Sequence, residues 1–185
     1  MKIRFEHSLP GLLAIGLLWT PTAVAGPHHG GGHGNATGLV QTVREATRRY
    51  LKVNRAEAEG YGAFLGCTSG HDHGAMGLHY ANGVLVGDGT LDANRPEVLV
   101  YEPRRNGRMQ LVAVEYLVIA EAWDAANASP PVLQGQLFHY EGSPNRYGLP
   151  AFYGLHVWAW KHNPSGMYSS WNPRVSCESY DPPVT

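Results

Sequence analysis

Apolar residues recur every three or four positions between residues 38 and 59. Leu39, Val43, Ala46, Tyr50, Val53 and Ala56 form one stripe, and Arg44, Glu45, Arg48, Arg49 and Lys52 fill the gaps. This spacing predicts an amphipathic helix over 38–59, with Thr37 as its N-cap and Gly60 as its stop. Residues 66–77 carry Gly66, Gly70, Gly74 and Gly77 and read as a loop. Beyond them the period shifts to two and β-branched residues rise. Strands are predicted over Val84–Val86, Glu97–Glu102, Met109–Ile119, Leu133–Tyr140 and Tyr153–Lys161. Asn106-Gly107 is a hairpin signal between the second and third of these. Met109–Ile119 is apolar on both faces, which predicts a central strand covered on both sides. Pro130-Pro131, Pro144-Asn145, Asn163-Pro164-Ser165-Gly166 and Asn172-Pro173 mark turns. One helix followed by about five antiparallel strands gives an α+β expectation: an N-terminal helix packed on a curved antiparallel sheet or small open barrel.

The start of the chain has a different pattern. Lys2 and Arg4 precede an apolar run from Leu9 to Trp19, and Ala23-Val24-Ala25 closes the segment with small residues. That is the layout of a secretory signal peptide over residues 1–25. Its apolar run is shorter than the ~20 residues a membrane helix needs. An exported protein, periplasmic or extracellular, is expected. Residues 26–37 follow as a flexible leader rich in glycine and histidine, then one globular domain over 38–178 and a tail over 179–185. Without Lys2, Arg4 and Glu6 the remainder has 12 basic and 14 acidic side chains, so no basic field exists for nucleic acid. No later segment reaches membrane-spanning length.

Cys67 and Cys177 are the only cysteines. In an exported chain they are expected to form one disulfide, the alternative being two buried thiols. No C-x-x-C is present to support thiol catalysis.

Histidine carries the candidate chemistry. His28, His29 and His33 lie in the leader and could hold Cu, Ni or Zn weakly, or simply solubilise a linker. Pro27 has no amide proton, which blocks square-planar copper binding at a new amino terminus. His71-Asp72-His73 is an H-x-H pair between glycines. The cupin pattern would require a glutamate three or four residues after the second histidine, and none stands there. Glu115 is a sharper signal. It shares the apolar strand Met109–Ile119, at period two with Met109, Leu111, Ala113, Leu117 and Ile119, and a carboxylate there is costly unless paired or bound to a cation. His156 sits among Leu155, Val157, Trp158 and Trp160, and His79 follows Gly77-Leu78. Two imidazoles and one carboxylate suit a transition metal such as Zn, Fe, Cu or Mn. His79, Glu115 and His156 are therefore the expected ligands, with His71, His73, Glu97 and Glu102 as further candidates for ligand or general base. Two alternatives stay open. One is a structural pair of the glutamate with either histidine, and the other is a metal-free pocket, floored by the three, for an apolar small molecule or haem among the aromatics. The metalloprotease, hydrolase-elbow and nucleotide-loop motifs are absent.

Residues 66–83, GCTSGHDHGAMGLHYANG, and 149–177, LPAFYGLHVWAWKHNPSGMYSSWNPRVSC, together with PEVLVYEP and LVAVEY, resemble a group of small exported bacterial proteins of no assigned activity. The likeness spans residues 60–178 and includes both cysteines. It implies an exported bacterial domain and no particular reaction.

Overall fold

The structure, a computed structural model, describes residues 33–181. The expected signal segment 1–25, His28 and His29 lie outside the described residues. His33 contributes only the first backbone position of helix α1 (His33–Thr47), which thus begins inside the expected leader. The helical stripe does not run unbroken to residue 59. After α1 come a 3-10 turn (Arg48–Leu51) and α2 (Val53–Ala58), separated by Lys52 in an extended conformation. Tyr50 fixes this break: its carbonyl accepts a buried hydrogen bond from the Tyr101 hydroxyl at 2.7 Å. A tertiary partner has replaced a helical one.

The sheet begins earlier than the glycines suggested. β1 (Gly62–Gly70) and β2 (Gly74–Ala81) form a hairpin where a loop was expected. Their glycines are strand features. Gly66, at φ +77°, follows Leu65, at φ +63°, in a bulge that shifts the register between Phe64 and Cys67. Gly74 leaves room for the Asn172 carbonyl, which a Cβ would meet at 2.3 Å. The next expected strand, Val84–Val86, is instead the short helix α3 (Gly83–Gly87). The Asn82 side chain caps it by accepting from the Val84 and Leu85 N–H groups.

β3 (Val98–Pro103) and β4 (Met109–Ile119) form the hairpin signalled by Asn106-Gly107. Helix α4 (Ala120–Ala126) follows. The expected strand Leu133–Tyr140 is divided. β5 (Val132–Leu133) and β6 (Gln136–Leu137) make a small separate ribbon around Gln134-Gly135, both at positive φ, and β7 (His139–Glu141) joins the main sheet. β8 (Phe152–Val157) stops before the tryptophans. The result is an α+β layout: a curled antiparallel half-barrel in the order β1-β2-β3-β4-β8-β7, with a few short helices.

β4 lies between β3 and β8 and is buried on both faces, as its composition requires. One face carries the larger core. Leu111, Val114, Tyr116 and Val118 share a cluster with Leu39, Val43, Tyr101 and Leu155. The opposite face is split. At one end Val112, Ala113, Val100 and Trp158 pack under Val175 of the C-terminal segment. That segment is tied down by Ala75–Asn172 pairing and by the Cys67–Cys177 disulfide, which spans 110 residues with Cα atoms 5.7 Å apart. At the other end the same face is open to a cavity.

Glu97 reinforces the β3–β4 junction from the helix-side core. It is 1% exposed and accepts from the Leu117 N–H at 3.0 Å. Burial pushes its carboxyl up from about 4.5 to about 8, with the backbone N–H opposing the shift. The folded chain then holds a proton that the unfolded chain releases, so stability falls as pH rises from about 4.5 to about 8. We expect a loss of ~3.5 kcal/mol between pH 5 and 8 on this account, the full linkage being ~1.4 kcal/mol per pKa unit. Glu97→Gln, whose carbonyl still accepts from Leu117, should flatten that decline in urea unfolding at the two pH values. An unchanged slope would show that Glu97 ionises normally in the fold.

Candidate metal centre

Strand register brings three chemically distinct side chains together. Glu115 on β4 stands directly opposite His156 on β8. On its other side Glu115 pairs with Val98 of β3, and Val100 of the same strand pairs with His79 on β2. His79 and Glu115 therefore reach over the short valine side chains of β3 to meet on one face. One ligand atom from each of His79, Glu115 and His156 lies within 4.8 Å of the others. All three are buried, at 8, 8 and 5% exposure.

A bulge sets this arrangement. Val100 pairs with Ala113 and Tyr101 with Leu111, which leaves Val112 as the extra residue of β4. Val112 and Ala113 then both pack under the C-terminal segment, while Leu111 belongs to the helix-side core. The sequence expectation put Glu115 on a face with Met109, Leu111, Ala113, Leu117 and Ile119. The bulge takes Met109 and Leu111 off that face and leaves Ala113 and Leu117 beside Glu115. Trp160 also leaves the His156 face, since its indole N–H donates to Thr47 Oγ1 at 3.0 Å on the helix side. Trp158 stays, stacked on the His156 ring at 6.3 Å.

The distances keep the three side chains out of direct hydrogen-bond contact. Glu115 Oε2 is 3.7 Å from His79 Nε2, and Oε1 is 3.7 Å from His156 Nδ1. Both exceed hydrogen-bond range. Two donors ~2.1 Å from one tetrahedral ion stand roughly 3.4 Å apart, close to this spacing. The rings meet edge to face, with centroids 5.7 Å apart. His156 Nε2 is buried without a hydrogen-bond partner. The Gly77 backbone acts on the His79 ring as an acceptor, the kind of outer contact that orients a metal-bound imidazole.

Charge follows from burial. Desolvation pulls His79 down to about 4, against the attraction of Glu115, and pulls His156 down to about 4, helped by His139. Desolvation also raises the Glu115 carboxyl, opposed by His79 and assisted by Glu141. Both imidazoles are thus neutral and able to ligate, and burial disfavours a bare charge on Glu115.

The other sequence candidates stand apart. His71 and His73 occupy the exposed β1–β2 turn, where His71 pairs with Asp72 at 3.0 Å. Glu97 lies on the opposite sheet face. Glu102 is engaged by Lys161 at 2.6 Å, by Arg104 at 3.2 Å and by the Ser176 N–H. Two contributors went unread. Gly154 sits in mid-strand, where a Cβ would meet Glu115 Oε1 at 2.9 Å, and a glycine inside a strand was a usable sign of close approach. Tyr147 enters the cavity from a loop that has no periodicity to reveal it.

That cavity, of about 420 Å³, has the three residues in its lining, and most other lining side chains are apolar, including Phe64, Met76, Val98, Leu117, Leu149 and Phe152. No family model matches the chain, and no curated protein or solved structure matches it.

Gly154→Ala should push the Glu115 carboxylate aside while leaving β8 paired. We expect at least a tenfold loss of Zn(II) affinity in chelator competition, with the thermal midpoint moved by only a few degrees. Unchanged affinity would mean that the carboxylate does not need the space Gly154 leaves.

Proposed function

We propose that this protein is an exported metal-binding protein in which His79, Glu115 and His156 hold one transition-metal ion, and that the ion serves a metal-dependent reaction at the cavity. The observation that carries this reading is the 3.7 Å spacing on both sides of Glu115. A structural carboxylate–imidazole pair would close to ~2.7–3.0 Å and satisfy its buried acid. Here the acid lies between two neutral donors and touches neither. A cation among the three compensates the carboxylate and uses both imidazoles.

Three protein donors leave a coordination position for water or substrate, the pattern of catalytic rather than structural zinc. The apolar surroundings support such use, because a Lewis acid acts more strongly where water is scarce. The donor set suits Zn, Fe, Mn or Cu alike. Haem is less well supported, since the Glu115 carboxylate stands at the approach to both imidazoles. Export is supported by the N-terminal pattern, by the resemblance noted above and by the disulfide. No helix among the described residues is long and apolar enough to cross a membrane.

Elemental analysis of protein purified without a polyhistidine tag tests the reading. One metal ion per chain is expected, retained when residues 26–32 are deleted and reduced more than tenfold in Glu115→Gln and in His156→Ala. Full metal content in both substituted proteins would overturn it.

A further inference from the structure

The loop between β7 and β8 does more than connect them. Asn145 holds it closed: its Oδ1 accepts from the Tyr147 and Leu149 N–H groups at 3.1 and 3.2 Å, and its Nδ2 donates to the Gly142 and Leu149 carbonyls at 2.8 and 3.0 Å. Arg146 then reaches the far edge of the half-barrel, donating to the Ser69 carbonyl of β1 at 3.5 Å and lying over the Trp171 ring at 5.5 Å. The loop thereby bridges the two sides of the curled sheet. Between these anchors it presents Tyr147 and Leu149 to the cavity.

Tyr147 is the polar group of this cover. Its ring packs edge to face on Phe152 with centroids 6.0 Å apart. Among the described residues its hydroxyl has only a weak contact, 3.6 Å from Met76 Sδ, sulfur being a poor acceptor. It also lies close enough to Glu115 for the two to interact electrostatically. A phenol donor held near the three ligands, with no strong acceptor, is placed for an atom that is not part of the protein. The rest of the interior sets the shape of that visitor. Phe64, Phe152 and the Tyr147 ring offer aromatic surface, and Thr68 is the one other side-chain hydroxyl in the lining. A cavity of about 420 Å³ is near the lower end of the ~300–1,000 Å³ usual for small-molecule sites, too small for a folded partner or a long peptide.

Resting on the metal reading above, we infer that the cavity takes a small aromatic molecule bearing one oxygen donor, which occupies the open position on the ion and accepts a hydrogen bond from the Tyr147 hydroxyl, with the ring held between Phe64, Phe152 and Leu149. Tyr147 is then a ligand-positioning residue.

Titration of metal-free and Co(II)-loaded protein with 2-naphthoate and with naphthalene tests this. The Co(II) protein should bind 2-naphthoate at least tenfold more tightly than the metal-free protein does, and should change its visible spectrum on binding. Naphthalene should bind both forms alike and more weakly. Tyr147→Phe should weaken 2-naphthoate three- to tenfold while sparing naphthalene affinity and Co(II) content. Leu149→Arg should abolish binding of both compounds with Co(II) content intact. Stoichiometric Co(II) uptake without 2-naphthoate binding would overturn this inference alone. Failure of the protein to take up Co(II) at all would overturn the metal reading, and the anchoring of the oxygen with it. Equal affinity of 2-naphthoate for both forms, or no effect of Tyr147→Phe, would also overturn the anchoring.

Discussion

Glu115 lies in the middle of a sheet with its carboxylate between two imidazoles and hydrogen-bonded to neither. Burial of an acid in this way is tolerated only if something offsets its desolvation, because the cost of an unpaired buried charge is several kcal/mol. Among the described residues no lysine or arginine pairs with Glu115. Glu102 does have such partners, its carboxylate being held by Lys161, Arg104 and a backbone N–H. The contrast between these two buried acids of adjacent strands is informative. One is neutralised by cationic side chains, and the other faces two neutral imidazoles.

The surrounding architecture preserves that difference. The sheet face that carries Glu115 is covered unevenly. The C-terminal segment, pinned by the disulfide and by the Ala75–Asn172 bridge, fills the end near Trp158 and Val175. It stops short of the end bounded by Val98, Leu117 and Phe152, where the cavity remains. Small residues keep the boundary open. Gly154 gives the Glu115 carboxylate its space, and Gly77, at φ +114°, lets β2 approach the Tyr101 carbonyl more closely than any Cβ would allow. A side chain at Gly154 would take the space of the carboxylate, and one at Gly77 would drive β2 away from β3.

The sequence was informative where local pattern and tertiary demand coincide. Met109–Ile119 is apolar at nearly every position because β4 is buried on both faces, and its limits are those of the observed strand. Glu115, His79 and His156 could be singled out for the same reason, since a polar side chain in such a stretch is conspicuous. The pattern failed where a residue serves two geometries. Glycines of the β1–β2 hairpin resemble loop glycines, yet they occupy bulges and a close crossing of chains. Val84–Val86 has β-branched residues, but the Asn82 cap in front of it favours a helical turn. The break at Lys52 was hidden because the apolar stripe continues through it on both sides. The bulge at Val112 could not be read at all, since nothing in a run of apolar residues reveals where the alternation resets.

That bulge also explains why the centre must be a property of the folded state. Its three candidate ligands come from β2, β4 and β8, far apart in the chain and joined only through correct register. A one-residue slip of β4 would turn Glu115 into the helix-side core and present Tyr116 to the cavity. An ion bound here would tie β2 to β8 across two intervening strands, so its binding free energy would add to the stability of the curl itself. Burial alone leaves both imidazoles neutral and raises the Glu115 carboxyl, so the register that gathers the three also sets their charge.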